Sequence, residues 1–453
     1  MKKTVWILAA ILMFGGLLAA CSSDSKGDTK GTGTPASSTP SGSASGASAL
    51  PTGNFELTWW VDTREDVQKI YEDYKTEFEK LHSNVKINIV KTPDDKVQER
   101  ISVAANTAQL PDVQSGSILW PLTYAKKNLL IQLDDIIDKE DFEESALKSL
   151  AVDNKNYIFL NNSTATGMLV NRDLFKAKNA NDLLPANGAT WSYDQFLKAA
   201  KAVNDPSKQI YGFGTYAGDI GGDQGHHMFL WGFGAKTWSD DNTKAVLNSP
   251  QAVEGLEFLI KTIDEGVVPP GAAGLKAGAV INELFLQGKI GMTFGSIGNL
   301  GAFDKAFAEG SAKKFEYDLI PYPSKDGKTS SSVLFGHGTW VWNTKNENKI
   351  KWAKEFTKFI NNKDNMTKMS KATSVIITRK SLSKSYDPNS MQGKTIQLTK
   401  YAGNIGAAIP GYTETRNAFF PELQAAFLKK KTPKQALDDW VTKANEIVAA
   451  ASK

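Results

Sequence analysis

Between Phe55 and Lys127 the apolar residues change period repeatedly. Phe55–Val61 reads F-E-L-T-W-W-V, rich in β-formers and poorly alternating, the pattern of a strand buried on both faces. Residues 66–81 carry Val67, Ile70, Tyr71, Tyr74 and Phe78 at helical spacing. A second strand is predicted over 85–90, a second helix over 96–107, a third strand beginning at 111–113, and a helix over 119–127. Strand alternating with helix predicts a parallel sheet covered on both faces. Ligands of such sheets sit outside the carboxyl ends of the strands, which puts 60–65 and 114–120 on the functional edge. Further on, N-Y-I-F-L around Tyr157 runs into polar residues 161–166 before M-L-V resumes at 168–170. One extended path interrupted by small polar residues suits a crossing between two lobes.

The first 54 residues follow a different pattern. Lys2 and Lys3 precede an apolar run over 5–20 that ends in L-A-A before Cys21. A basic start, a short apolar core and small residues at its end are the parts of a secretory signal, and the run is too short to span a bilayer. Residues 22–54 are mostly Ser, Gly, Thr, Ala and Pro and cannot bury enough surface to fold. As a flexible tether, that stretch reaches roughly 30 Å. The remaining chain exceeds the roughly 250–300 residues at which a single core stops growing, so two lobes are expected.

Composition removes several function classes. The formal charge is only +4 over 453 residues, and the lysines form no basic stripe with interleaved aromatics, so nucleic acid is not an expected partner. Cys21 is the only cysteine, which excludes disulfides and thiolate metal sites.

Two resemblances sharpen the reading. L-A-A-C at 18–21 resembles the lipobox of bacterial lipoproteins, which implies cleavage after residue 20 and a lipidated Cys21 that anchors the chain outside the cytoplasm. W-W-V-D at 59–62, P-D-V at 111–113, N-R-D-L-F at 171–175, T-W-S-Y-D-Q-F-L-K-A-A at 190–200 and F-L-Q-G-K-I-G-M-T-F-G at 285–295 together resemble the extracellular solute-binding proteins of ABC sugar importers. The helix starting at Asn346 and T-P-K-Q-A-L at 432–437 agree. This implies an α/β, periplasmic-binding-protein-like fold of the type II kind, with two α/β lobes joined by a multi-crossing hinge. The family crosses three times, which places the further crossings near 317–323 and 371–376. The lobes would be 55–162 with 320–373, and 163–319 with 374–453. A monomer that binds a mono- or oligosaccharide without cofactor, metal or catalysis, and hands it to permease subunits, is the implied function. A non-sugar solute or a glycoside-acting lipoprotein enzyme are the alternatives.

A sugar site needs aromatic plates with carboxylate, amide and guanidinium partners. Trp59 and Trp60 face opposite ways on a strand, and Trp60, nearer the strand end, is assigned to the site. Asp62 and Glu65 follow it by resemblance. Ser115 and Ser117 occupy the edge after the third strand, with Trp120 open between plate and packing residue. Resemblance places Thr164 at a ligand contact in the first crossing, where the family often has a carboxylate. The dense mix of glycine, aromatic and polar residues at 212–231 supplies Asp223, Gln224, His226 and Trp231, with Met228 and Phe229 as core. G-x-G-x-x-A at 212–217 fails as a dinucleotide fingerprint because Gly218, Gly221 and Gly222 oppose the required helix. Adjacent His226 and His227 lack metal-ligand spacing. Resemblance adds Ser296 and Asn299. Tyr412 and Arg416 stand at i and i+4 after Pro410 and Gly411, on a helix that resemblance aims into the cleft. Paired acids at 94–95, 134–135 and 143–144 read as solvated faces, and the two S-x-x-K strings lack their companion motifs.

Overall fold

The computed structural model describes residues 49–452, except 94, 95, 108, 220, 222, 374 and 375 and the side chains of 66, 223, 224, 372 and 373. The predicted leader, Cys21 and nearly all of the tether lie outside them. Eight strands are present among the described residues: β1 (Phe55–Val61), β2 (Val85–Lys91), β3 (Val113–Ser117), β4 (Phe159–Asn171), β5 (Tyr211–Gly214), β6 (Ile290–Ser296), β7 (Tyr317–Ile320) and β8 (Leu334–Val341). They form one sheet in the order β2-β1-β3-β8-β4-β6-β5, with β7 beside β4.

The first three strands are parallel because helices Glu65–Leu81 and Val97–Thr107 return the chain between them. β8 then inserts antiparallel between β3 and β4, so the fold is α/β with a mixed sheet rather than the all-parallel one expected. β1 is buried through Leu57, Trp59, Trp60 and Val61, as its lack of alternation predicted. Trp59 meets Tyr71 and Phe356 edge-on at 5.0 Å each, which locks the helices Glu65–Leu81 and Glu347–Ile360 onto the sheet. Asn346 caps the second of these by accepting from Lys349 N. Ser192 and Thr432 each head a capping box with a glutamine three residues on.

Two local expectations are corrected. The helix read over 119–127 shrinks to Leu122–Ala125, since Pro121 precedes it without an N–H and Asn128 turns left-handed at φ 56°. The polar stretch 161–166 does not interrupt the strand either. β4 runs unbroken for 13 residues because β8 and β6 supply ladder partners on successive segments. Its first half, Phe159 to Ala165, pairs with β8, and from Thr166 onward it pairs with β6 and then β7 as well. A register shift between Leu160 and Asn162 leaves Asn161 unopposed at a bulge.

A return segment lies against this strand. Ile377 bridges to Asn162, Ile376 O accepts from Ser163 N, and Thr378 Oγ1 donates to Leu160 O at 3.0 Å. Arg379 then pairs with Asp141 at 3.0 Å, both side chains almost wholly buried.

Candidate functional site

Register decides which side chains share a face, because opposed residues in paired strands point to the same side. Ser115 opposes Thr339, Ser117 and Asn162 both oppose His337, and Thr164 opposes Phe335. Trp59 opposes Val113, two residues before Ser115. One face therefore carries Trp59, Ser115, Ser117, Asn162 and Thr164. Trp59 Nε1 donates to Ser115 Oγ at 2.9 Å, which lies 3.0 Å from Thr339 Oγ1.

Trp60 opposes Gln114 and points to the other face. There the Arg100 guanidinium stands 4.1 Å above its ring, and the residue is only 5% exposed. Both tryptophans are thus buried, and it is Trp59, not Trp60, whose face borders the strand-end cavity. Adjacent positions on a strand must diverge, but which of them looks toward the strand-end pocket depends on the register with β3, about fifty residues away in sequence.

On the Trp59 face lies a cavity of about 30 Å³, bounded by Trp59, Ser115, Asn162 and His337 from the sheet and by Tyr71 and Met366 from the covering helices. That volume holds a water but no sugar ring. Arg64 lies at its margin, held by Asp62: Arg64 Nη2 donates to Asp62 Oδ2 at 3.0 Å and Arg64 N to Oδ1 at 3.1 Å. Tyr71 OH donates to the same Oδ2 at 3.1 Å. Burial, reinforced by the Asp62 charge, holds the Tyr71 phenol far above its ordinary pKa, so it remains a donor. Asp62, with its carboxylate buried and bonded, positions Arg64 rather than offering a free acceptor. Glu65, the first residue of its helix, is exposed.

Thr164 stands out on the crossing strand. Its Oγ1 is buried with no hydrogen-bond partner, and Ser163 Oγ on the opposite face is in the same condition. An unsatisfied buried hydroxyl costs about 1–3 kcal/mol, so two in succession on β4 call for an explanation. Trp120 is half-buried and lies against Gly116 of β3, where a Cβ would stand 2.3 Å from Cζ3.

The remaining expected residues separate into groups. Asp223 and Gln224 begin the helix Asp223–Trp231, and their side chains lie outside the described ones. His226 is fully buried, its Nε2 3.1 Å from Thr215 Oγ1 and its ring edge-on to Tyr216 and Phe294, so it is a core residue and not the loop donor expected. Ser296 and Asn299 bond each other's turn at the end of β6: Asn299 Oδ1 accepts from Ser296 N and Ser296 Oγ from Gly298 N. Arg416 lies 5.5 Å over the Tyr412 ring, the i,i+4 pairing expected. Trp231 ends its helix about 12 Å beyond Asp223 and borders a different opening. Trp59, Asn161, Asn162 and His337, which also line the strand-end cavity, were not among the residues assigned from the sequence. The G-H-G of β8 was the available signal for the last.

No group of three or more His, Cys, Asp or Glu among the described residues could hold a metal ion. No helix among them is long and apolar enough to cross a membrane.

The chain is an α/β protein with a mixed sheet and a small pocket at the strand ends, and comparison gives the family. The profile described as bacterial extracellular solute-binding protein matches residues 73–395, and the chain belongs to that family. It is 26% identical over 392 residues to a galactooligosaccharide-binding protein of Bacillus subtilis (strain 168), covering 84% of this chain and 87% of that one. Its fold is shared with a cyclic alpha-maltosyl-1,6-maltose binding protein from Arthrobacter globiformis, at a TM-score of 0.72 and 20% identity over 88% of this chain and all of the other. The maltose-binding periplasmic protein of Listeria monocytogenes, in complex with maltose, matches with a TM-score of 0.69 and 20% identity over 88% and 98%.

Proposed function

We propose that this protein binds a mono- or oligosaccharide outside the cytoplasmic membrane and delivers it unchanged to the permease of an ABC importer. The observation that carries the reading is the relationship to a galactooligosaccharide-binding protein over most of both chains, together with a fold shared with binders of maltose and of a cyclic maltosyl-maltose. On this chain the sugar would engage the Trp59 face at the strand ends, where Arg64, Ser117 and Thr164 offer hydrogen bonds, with Glu65, Asp223, Gln224, Asn299, Tyr412 and Arg416 as further contacts. Since the strand-end cavity is too small for a hexose, binding requires movement. We assign that movement to the lobes 55–162 with 320–373 and 163–319 with 374–453, turning about β4 and the return segment at 376–379. Only a ligand with higher affinity for one arrangement shifts such an equilibrium.

A thermal-shift screen across mono- and oligosaccharides tests the substrate class. A sugar at 100 times its dissociation constant adds about 2.7 kcal/mol of stability. A flat response to sugars with a clear response to amino acids or peptides overturns it. For the anchor, Cys21→Ser should release the protein from the membrane fraction, as several acyl chains at about 0.8 kcal/mol per buried CH₂ hold what none would. Retention of Cys21→Ser in that fraction refutes the lipid.

A further inference from the structure

A second and much larger opening lies away from the strand ends. It measures about 1010 Å³ and is walled on one side by residues between 139 and 156, on the other by residues between 231 and 242 with Gly403 and Asn404. Ligand pockets span about 300–1,000 Å³, so this groove exceeds what one sugar ring or one amino acid fills. Its floor carries Trp231, half-buried.

Trp231 is fixed from two sides. Its Nε1 donates to Thr237 Oγ1 at 2.8 Å, which leaves the threonine hydrogen for His227 Nδ1 at 3.2 Å. Gly403 lies against the ring, where a Cβ would stand 2.3 Å from Cζ3, so no other residue fits there without displacing the indole. With its N–H satisfied inside the protein, Trp231 has its apolar surface left to offer, and no rotamer freedom is lost on binding. Around it the rim is polar: Asp153 and Asn154 on one wall, Asp241, Asn242 and Asn404 on the other. Lys139, Lys148 and Lys236 are interspersed with Glu144 and Asp240, so neither a polyanion nor a polycation is favoured. Charged side chains stand on both walls, whereas the core of a protein interface is poor in charge.

We propose that this groove is a second carbohydrate site, taking a linear oligosaccharide of several rings, with Trp231 as its stacking plate and the amide and carboxylate rim as its hydroxyl partners. It is distinct from the strand-end face, sharing none of its lining residues. Thr237, His227 and Gly403 are positioning residues that present the plate.

Calorimetric titration of the full chain with maltotetraose and with galactotriose tests it. Two classes of binding event are expected for at least one of the sugars. Trp231→Ala should weaken one class at least about tenfold and leave the other unchanged. Asp240→Arg, at an exposed rim position where folding is not at stake, should do the same by crowding the groove. A single binding class that both variants leave untouched overturns the second site while the proposed function stands. Loss of all sugar binding in folded Asp240→Arg overturns it too, because the groove would then be the one sugar site and the strand-end placement would be wrong. Absence of binding by either sugar to the parent protein counts against both proposals.

Discussion

Asp141→Asn is a sharp test of how the return segment is held. Asp141 Oδ2 accepts from Arg379 Nη1 at 3.0 Å and from Ser381 Oγ at 2.8 Å, while Oδ1 accepts from Ser381 N at 2.7 Å. The guanidinium is enclosed: it lies 5.2 and 5.4 Å over Phe142 and Phe159 and donates to Asn361 O at 3.0 Å. Burial raises the Asp141 pKa, but the bonds from Ser381 and Arg379 and the nearby Lys363 charge outweigh it, and the net shift is downward. Such a carboxylate adds stability above its unfolded value of about 3.9, and the contribution is lost as pH falls through the lower folded value. Removing one partner of a buried pair costs about 3–5 kcal/mol, because the other charge stays buried unpaired. At about 2.1 cal/mol/K per residue over roughly 400 residues, that lowers Tm by about 4–6 °C. Urea unfolding followed by tryptophan fluorescence, with calorimetric melting, reads both quantities. The deficit against the parent should shrink below about pH 4, and Asp141→Leu with Arg379→Met should recover much of the loss. A single variant within about 1 kcal/mol of the parent, or a double variant as unstable as the single, refutes the reasoning.

Asp134 offers a second pH test. Burial raises its pKa, yet bonds from Lys139, Asn156 and Gln132 bring it down to about 2, so its contribution is complete above about pH 4 and lost toward pH 2; Asp134→Asn should flatten that part of the stability profile in acid titrations. Trp60→Ala should cost about 3–5 kcal/mol of stability, as a buried aromatic leaving a cavity does, with sugar affinity little changed. Undiminished stability together with weakened binding would return Trp60 to the site.

The helices Glu65–Leu81 and Val97–Thr107 and the first three strands were legible because each follows from spacing along its own few residues. Val67, Ile70, Tyr71, Tyr74 and Phe78 mark one helical face whatever the rest of the chain does. The site was less legible because it depends on partners remote in sequence. Trp59 and Trp60 present the same local pattern; pairing of β1 with β3, about fifty residues on, decides which of them shares a face with Ser115, and β8 extends that face to Thr164. His226 read as a loop donor among glycines, but Phe294 and Phe420 from distant segments enclose it in the core. Asp62 was identified as a binding carboxylate, and its neighbour Arg64 and Tyr71, nine residues on, had already claimed it. Tyr412 and Arg416 were paired correctly because the helical repeat alone brings them together.

The 13-residue β4 has a mechanical consequence. A hinge made of loops lets two bodies swing through many paths, whereas a continuous strand laddered at both ends transmits torque and permits chiefly twist. Thr166 sits where the partners change: its side-chain oxygen accepts from Val333 N at 3.2 Å and its carbonyl from Ser332 Oγ at 2.9 Å. In the proposed movement, one end of β4 would turn against the other through a few residues around Thr166. The strand would then act as a torsion bar, its stiffness setting how far and along which axis the lobes could turn.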